Sequence, residues 1–321
     1  MNTSYSNTRN SNKFASIAEI IESSSELDAS AKEQYIRNVE KILTDNKVNI
    51  MLAGATGAGK SSTINALFNI QQAKVGYGTD PETYEIQKFT LNNITLWDTP
   101  GFGDSPDQDR KTAVMIRNLL RRSNDAGKPL IDLVLVVVDG SSRDMMSTFE
   151  LVTKVIEPNA RYRDSIVIGI NQTDVAMKGR HWDREKRKPE TQLVEFMNEK
   201  VRSVKERISS SCGIDANVMY YSATEKYNVL KLLCFILDNL PEEEKILNVV
   251  EQMNPEMEIW ENHDDETEDM MSTVAGKIKG VVTGAVKGAA IGSKIATKFG
   301  VPPVIGTILG GIAGGLFGLF S

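Results

Sequence analysis

The stretch GATGAGKSS, Gly54 to Ser62, constrains this chain more than any other. It follows an apolar run, VNIMLA, and precedes TINALF, whose spacing predicts a helix. Gly54, Gly59, Lys60 and Ser61 satisfy the pattern GxxxxGK[ST] in the strand-to-helix context that gives the pattern meaning. Glycine lets the backbone wrap so that its N–H groups converge, and the positive end of the following helix adds to the field. The loop therefore reads as a cradle for phosphate, with Ala55, Thr56, Gly57 and Ala58 supplying backbone and Ser62 closing it. Lys60 would reach the β- and γ-phosphates, and the Ser61 hydroxyl would sit on Mg²⁺, a cation that prefers oxygen ligands.

A chain built around such a loop needs a sheet to hold it. The segments VNIMLAG, YEIQKFTL, NITLWDT, DLVLVVVDG, SIVIGIN and VMYYSA read as strands alternating with helical stretches, the pattern of a doubly wound sheet. Most are continuous apolar runs, as expected when helices cover both faces. The dipeptide NN between the second and third predicts a tight hairpin, so that pair should be antiparallel. The expected fold is a three-layer α/β P-loop NTPase domain, mostly parallel with one antiparallel strand, over residues 47–241. A polar tail (1–27) and one helix (28–46) precede it. An acidic stretch containing PEEEK and ENHDDETED reads as a linker over 242–272.

Three later motifs give the pocket a base and a reaction. In LWDTPG, Asp98 ends a strand and can hold a Mg²⁺-bound water, while the Gly101 N–H can meet a γ-phosphate. In INQTD, the Asp174 carboxylate can accept hydrogen bonds from guanine N1–H and the 2-amino group, a donor pair that adenine lacks. Asn171 would brace the phosphate loop and the base edge. In YYSAT, the segment Ser222, Ala223, Thr224 closes the last strand, and the Ala223 N–H can meet guanine O6. The ligand read from these residues is GTP or GDP with Mg²⁺.

These motifs, in this order, resemble the translation-factor-type P-loop GTPases, specifically the Era-like branch. The phrases GTDPETYEIQKF, LIDLVLVVVDGSSRD and NQTDVAMKGRHWD look closest to prophage-type bacterial members labelled ribosome-binding-GTPase-like. The phosphate loop is also similar to those of septins and immunity-related GTPases, whose domains pair across the nucleotide. The resemblance implies a switch threonine that joins Mg²⁺; Thr83, just before the second strand, is favoured over Thr79. It thus implies Lys60, Thr83 and Gly101 as catalytic residues and Ser61, Thr83 and Asp98 around the metal. Gln172 stands where relatives carry lysine and would lie on the base. Phe102 stands where Ras-like members carry a water-orienting glutamine, which implies slow turnover without a partner or second copy. Gly57 replaces the asparagine of potassium-dependent relatives. Arg110, Arg121 and Arg122 are candidates for charge supplied across a dimer. RNA or ribosome contact is implied by the family label, with the basic insert KGRHWDREKRK around Trp182 as its candidate surface.

The far end has its own pattern. Gly276, Gly280, Gly284, Gly288 and Gly292 recur every four residues, and Gly306, Gly310, Gly314 and Gly318 repeat the spacing after VPP. Glycine costs about 1 kcal/mol per helical position, so such helices need close backbone packing or lipid. Residues 273–321 read as a glycine-rich helical hairpin, either at a membrane or in self-association. A net charge of −6 weighs against indiscriminate nucleic-acid coating, and only two cysteines, Cys212 and Cys234, point to a reducing cytoplasm. The expected location is cytoplasmic or at a membrane surface.

Overall fold

The computed structural model describes residues 21–22, 28–72, 74–77, 85–142, 145–160 and 163–285. Helix α1 (Ala29–Asp45) leads into β1 (Val48–Gly54), the glycine loop and α2 (Lys60–Leu67). Strands β2 (Lys74–Tyr77), β3 (Gln87–Leu91) and β4 (Ile94–Asp98) follow, then α3 (Pro106–Arg121) and β5 (Leu133–Asp139). Next come α4 (Met146–Glu150), a π-helical turn at Leu151–Ile156, and β6 (Ile166–Asn171). A small hairpin of β7 (Trp182–Asp183) and β8 (Lys188–Pro189) precedes α5 (Thr191–Cys212), β9 (Asn217–Tyr220) and α6 (Val229–Asp238). Helices α7 (Ile246–Glu251), α8 (Glu258–Glu261) and α9 (Glu266–Ala285) complete the described chain.

The main sheet has the order β2-β3-β4-β1-β5-β6-β9. Strand β3 pairs antiparallel with both neighbours, and the pairs from β4 to β9 are parallel. The β3–β4 turn is the expected Asn92–Asn93 hairpin, with Leu91 opposite Ile94 and Asn92 at φ 43°. Burial explains the apolar runs. Along β5, Leu133, Leu135 and Val137 enter one core with α1, α2 and α6, while Val134, Val136 and Val138 enter the other with α3 and α5. Both faces are covered, so no polar alternation survives. Edge strand β2 was not among the expected strands. Its sequence, KVGY, mixes a charge and a glycine into four residues and carries little pattern of its own.

Two expectations about the flanks need correction. The 242–272 stretch is not a bare linker: Ile246, Leu247, Val249, Ile259 and Trp260 are buried against the sheet's first core. The acidic residues dominate its composition, but these apolar side chains recur at helical spacing between them. Lys245 is also buried there, and its Nζ donates to Asp132 Oδ1 at 2.5 Å, while Asp132 Oδ2 accepts from the Asn49 N–H at 2.8 Å. The second correction concerns the hairpin boundary. Residue 273 falls inside α9, which docks Val274, Ala275 and Ile278 on the domain. Ile21, in the stretch expected as a polar tail, is likewise fully buried. The remainder of the glycine ladders, from residue 286 onward, lies outside the described residues.

Candidate functional site

The site lies at the carboxyl ends of the central strands, where β1 gives way to the glycine loop. Gly59 caps α2 at φ 90°, and a Cβ there would come within 2.3 Å of Asn171 Nδ2. Only glycine fits both the backbone and the contact. Lys60 Nζ donates to the Gly54 and Ala55 carbonyls, each at 3.2 Å. Burial holds its ammonium below the usual lysine range, and the charges of Asp98 and Asp104 oppose that shift.

Ser61 and Asp98 lie side by side. The Ser61 hydroxyl donates to Asp98 Oδ2 at 3.0 Å. Burial pushes the Asp98 carboxyl above its ordinary value, opposed by that hydrogen bond and by Lys60. Its other oxygen, Oδ1, is buried and has no hydrogen-bond partner. An orphaned carboxylate oxygen is costly unless something polar joins it. A hard cation with its water shell, next to a serine hydroxyl, fits this donor set.

The segment after Asp98 is laced to the phosphate loop. Phe102 N–H donates to the Gly54 carbonyl at 3.2 Å, and Thr56 N–H donates to the Phe102 carbonyl at 3.3 Å. The Phe102 side chain is buried in the second core and, being apolar, offers no hydrogen bond. Gly101 lies against Thr56 so closely that an added Cβ would be 1.8 Å from Thr56 Oγ1. That hydroxyl donates to Asp104 Oδ2 at 2.8 Å. A cavity of about 190 Å³ opens here, lined among others by Thr56, Phe102, Asp104, Asp139 and Ser147.

The base half is cross-linked in a different way. Asn171 Nδ2 donates to the Ala58 carbonyl at 3.0 Å, while its Oδ1 accepts from the Ala223 N–H at 3.0 Å. One side chain thus ties the phosphate loop to the loop after β9. Gln172, at φ 62°, donates from Nε2 to the Gly57 carbonyl at 2.7 Å. Ser222 donates to Asp174 Oδ1 at 2.6 Å and so aims the carboxylate. Two expectations shift in detail: the Ala223 N–H is engaged by Asn171, and the Gln172 amide is engaged by the phosphate loop. Thr224 is exposed at the edge of this group, and Ser62 on the first turn of α2.

Some candidates are not brought together. Thr79 and Thr83 lie outside the described residues. Arg121 and the adjoining Arg122 are at the far end of α3, and Arg121 Nε donates to Asn159 Oδ1 at 2.9 Å. Trp182 packs edge-on against Tyr227, with ring centroids 5.7 Å apart, so its ring is already engaged. Sequence reasoning missed Tyr221, whose buried hydroxyl lies 2.7 Å from Thr63 Oγ1 and links β9 to α2. Nothing local marks it, because the two residues are far apart in the chain.

A glycine loop after β1, a carboxylate ending β4 and an Asn/Asp pair ending β6 on this strand order define a P-loop GTPase G domain. Residues 49–172 match the family model described as 50S ribosome-binding GTPase. The chain is 29% identical over 148 residues to YfjP, an uncharacterized protein of Escherichia coli K12, covering 45% of this chain and 47% of that one. It is 29% identical over 216 residues to EngB of Leptospira biflexa, named a "probable GTP-binding protein", covering 65% of this chain and 88% of EngB. A solved FeoB G domain from T. maritima aligns at TM-score 0.38 and 19% identity, over 60% of this chain and 98% of that one. The chain thus spans about half the length of YfjP and most of EngB.

Proposed function

We propose that this chain is a GTP-hydrolysing molecular switch of the Era-like type, slow by itself and accelerated by pairing or by a partner. The observation that carries it is the Asn171 bridge, which locks the phosphate loop to the base-reading loops, with Asp174 aimed by Ser222. A guanine would add its two donors to that carboxylate, and the converging loop amides and Lys60 would hold the phosphates. Ser61 and Asp98 would hold Mg²⁺, with a threonine of the 79–83 stretch joining it. Bound there, the cation would neutralise charge that develops on the phosphate oxygens.

In the reaction a water oxygen bonds to the γ-phosphorus while the bond to the β–γ bridging oxygen breaks. GDP leaves with the electron pair, and the water's proton ends on inorganic phosphate. Phe102 contributes no orienting hydrogen bond, which is why turnover should depend on assistance. Arg110, paired with Asp107 at 3.3 Å near the start of α3, is the arginine of the three candidates closest in sequence to the Asp98–Gly101 segment.

A second reading, a nucleotide-dependent membrane or oligomer scaffold with little turnover, is favoured by one observation. Gly276 and Gly280 are exposed, with open space where a Cβ would stand, so their glycine face is not used against the domain. Among the described residues no helix is long and apolar enough to cross a membrane. Single-turnover phosphate release at rising protein concentration separates the two readings. A rate that climbs with concentration, together with a GTP-dependent size shift, supports the assisted switch; a rate fixed at that of free GTP supports the scaffold. Flotation on anionic vesicles, with and without residues 286–321, tests the membrane contact, and equal flotation would remove it.

A further inference from the structure

The segment after Asp98 poses a problem that its own geometry answers. Phe102, which stands where the resemblance implies a water-orienting glutamine, is buried among apolar side chains. The next polar side chain along the segment is Asp104, and it is exposed to solvent. It is presented from a loop fixed on both sides. Gly103 turns the chain at φ 100°, and its N–H donates to Asp109 Oδ1 at 2.7 Å. Ser105 caps α3, accepting from the Gln108 N–H at 3.3 Å, with Pro106 in the first turn.

Between those anchors, Asp104 Oδ2 is held at 2.8 Å by the Thr56 hydroxyl. Thr56 in turn lies against Gly101, whose N–H the proposed function assigns to a γ-phosphate. The carboxylate is close enough to Lys60 to raise the hold of that ammonium on its proton. Lys60, Gly101, Thr56 and Asp104 therefore gather at the γ-phosphate end of the cradle. We propose that Asp104, held there by Thr56, orients the water that attacks the γ-phosphate, the task for which Phe102 is chemically unsuited.

The chemistry suits a carboxylate. Ionised aspartate only accepts hydrogen bonds, so a water bonded to it directs a proton toward Asp104 and a lone pair toward phosphorus. With Oδ2 taken by Thr56, Oδ1 is left for that water. No proton need stay on Asp104: the oxygen–phosphorus bond forms, the bridging bond breaks, and the proton ends on inorganic phosphate. A carboxylate beside a triphosphate would repel it on direct contact. The arrangement is favourable only with the water between them.

This assignment rests on the hydrolysis reading, and the test separates the two. Single-turnover GTP hydrolysis by the full chain is compared among the wild type, Asp104→Ala, Asp104→Asn and Asp104→Glu, alongside GTP affinity and thermal midpoint. Asparagine can still accept from Thr56 but lacks the charge that aligns the water. The expected result is a fall of roughly 10- to 100-fold in rate for Ala and Asn, with partial recovery in Glu. GTP affinity should stay within about threefold, because the residue is assigned to the water and not to the ligand. Wild-type rates in both Ala and Asn would overturn the assignment alone. So would a slow, heat-labile Ala variant beside an Asn variant at the wild-type rate, since that pattern is loop anchoring. A wild type that binds GTP but releases no phosphate at any concentration would remove the hydrolysis reading, and this assignment with it.

Discussion

The two halves of the pocket are built differently. In the base half, the Asp174, Asn171 and Gln172 side chains each have a partner that aims them: Ser222 on Asp174, Asn171 on Ala58 and Ala223, Gln172 on Gly57. In the phosphate half, Asp98 Oδ1 is buried without a partner, Lys60 spends its ammonium on two loop carbonyls, and Asp104 stands in solvent. A pre-aimed half gives specificity at little ordering cost, because its side chains lose little freedom on binding. A half with unmet polar groups gains most from the ligand itself. On the proposed function, base selection would be set by the fold, while catalytic competence would depend on what binds.

The largest expected effect breaks the base half. Asp174→Asn should weaken GTP binding by about 100-fold or more, since two charge-assisted hydrogen bonds are lost. ATP binding, measured in the same titration, should stay weak and unchanged; equal loss for both nucleotides would deny Asp174 its role in base choice. Next, Asp98→Asn should cut the Mg²⁺ dependence of GTP binding by roughly 10–100-fold, as expected when a residue holding a metal-bound water is altered. Titration of magnesium against a fluorescent GTP analogue reads this directly, and an unchanged curve would remove Asp98 from the metal site.

Ser222→Ala sharpens the comparison more gently. It leaves the Asp174 charge but frees its orientation, so GTP affinity should fall only about 3–10-fold. A loss as large as that of Asp174→Asn would mean that Ser222 touches the base directly. The smallest effect is on pH dependence. Asp98 binds its proton more tightly in the folded protein than in the unfolded chain. The contribution of Asp98 to the stability of nucleotide-free protein should therefore fall as pH rises from the ordinary carboxylate value through the raised folded value, and level off above it. Asp98→Asn should flatten that window and raise the neutral-pH melting midpoint by roughly 2–4 °C. Identical pH profiles for the wild type and Asp98→Asn would show that the buried oxygen costs nothing.

What could be read from the chain was local or repeated. The glycine loop is legible because strand, loop, lysine and helix start are contiguous, and each residue type has one physical reason to be there. The central strands are legible because burial on both faces leaves runs of Val, Ile and Leu. Asn171 and Asp174 are legible because both sit at the end of one strand. The short edge strand and the helices α7 and α8 were not: KVGY carries little pattern, and acidic residues dominate the composition of 242–272.

The sequence by itself determined which groups meet at the candidate pocket: the glycine loop with Lys60, the Asp98 carboxylate and the Asn171–Asp174 segment. Their order along the chain follows from strands that all end at one edge of a parallel sheet. Tertiary structure alone decided how those groups are partnered. Thr56 finds Asp104 across 48 residues, Tyr221 finds Thr63 across 158, and Lys245 finds Asp132 across 113. Hydrogen bonds of that reach depend on strand order and register, which no local pattern encodes. The direction of Phe102 was decided in the same way: an aromatic ring beside a half-built core is buried wherever the neighbouring strands leave room for it.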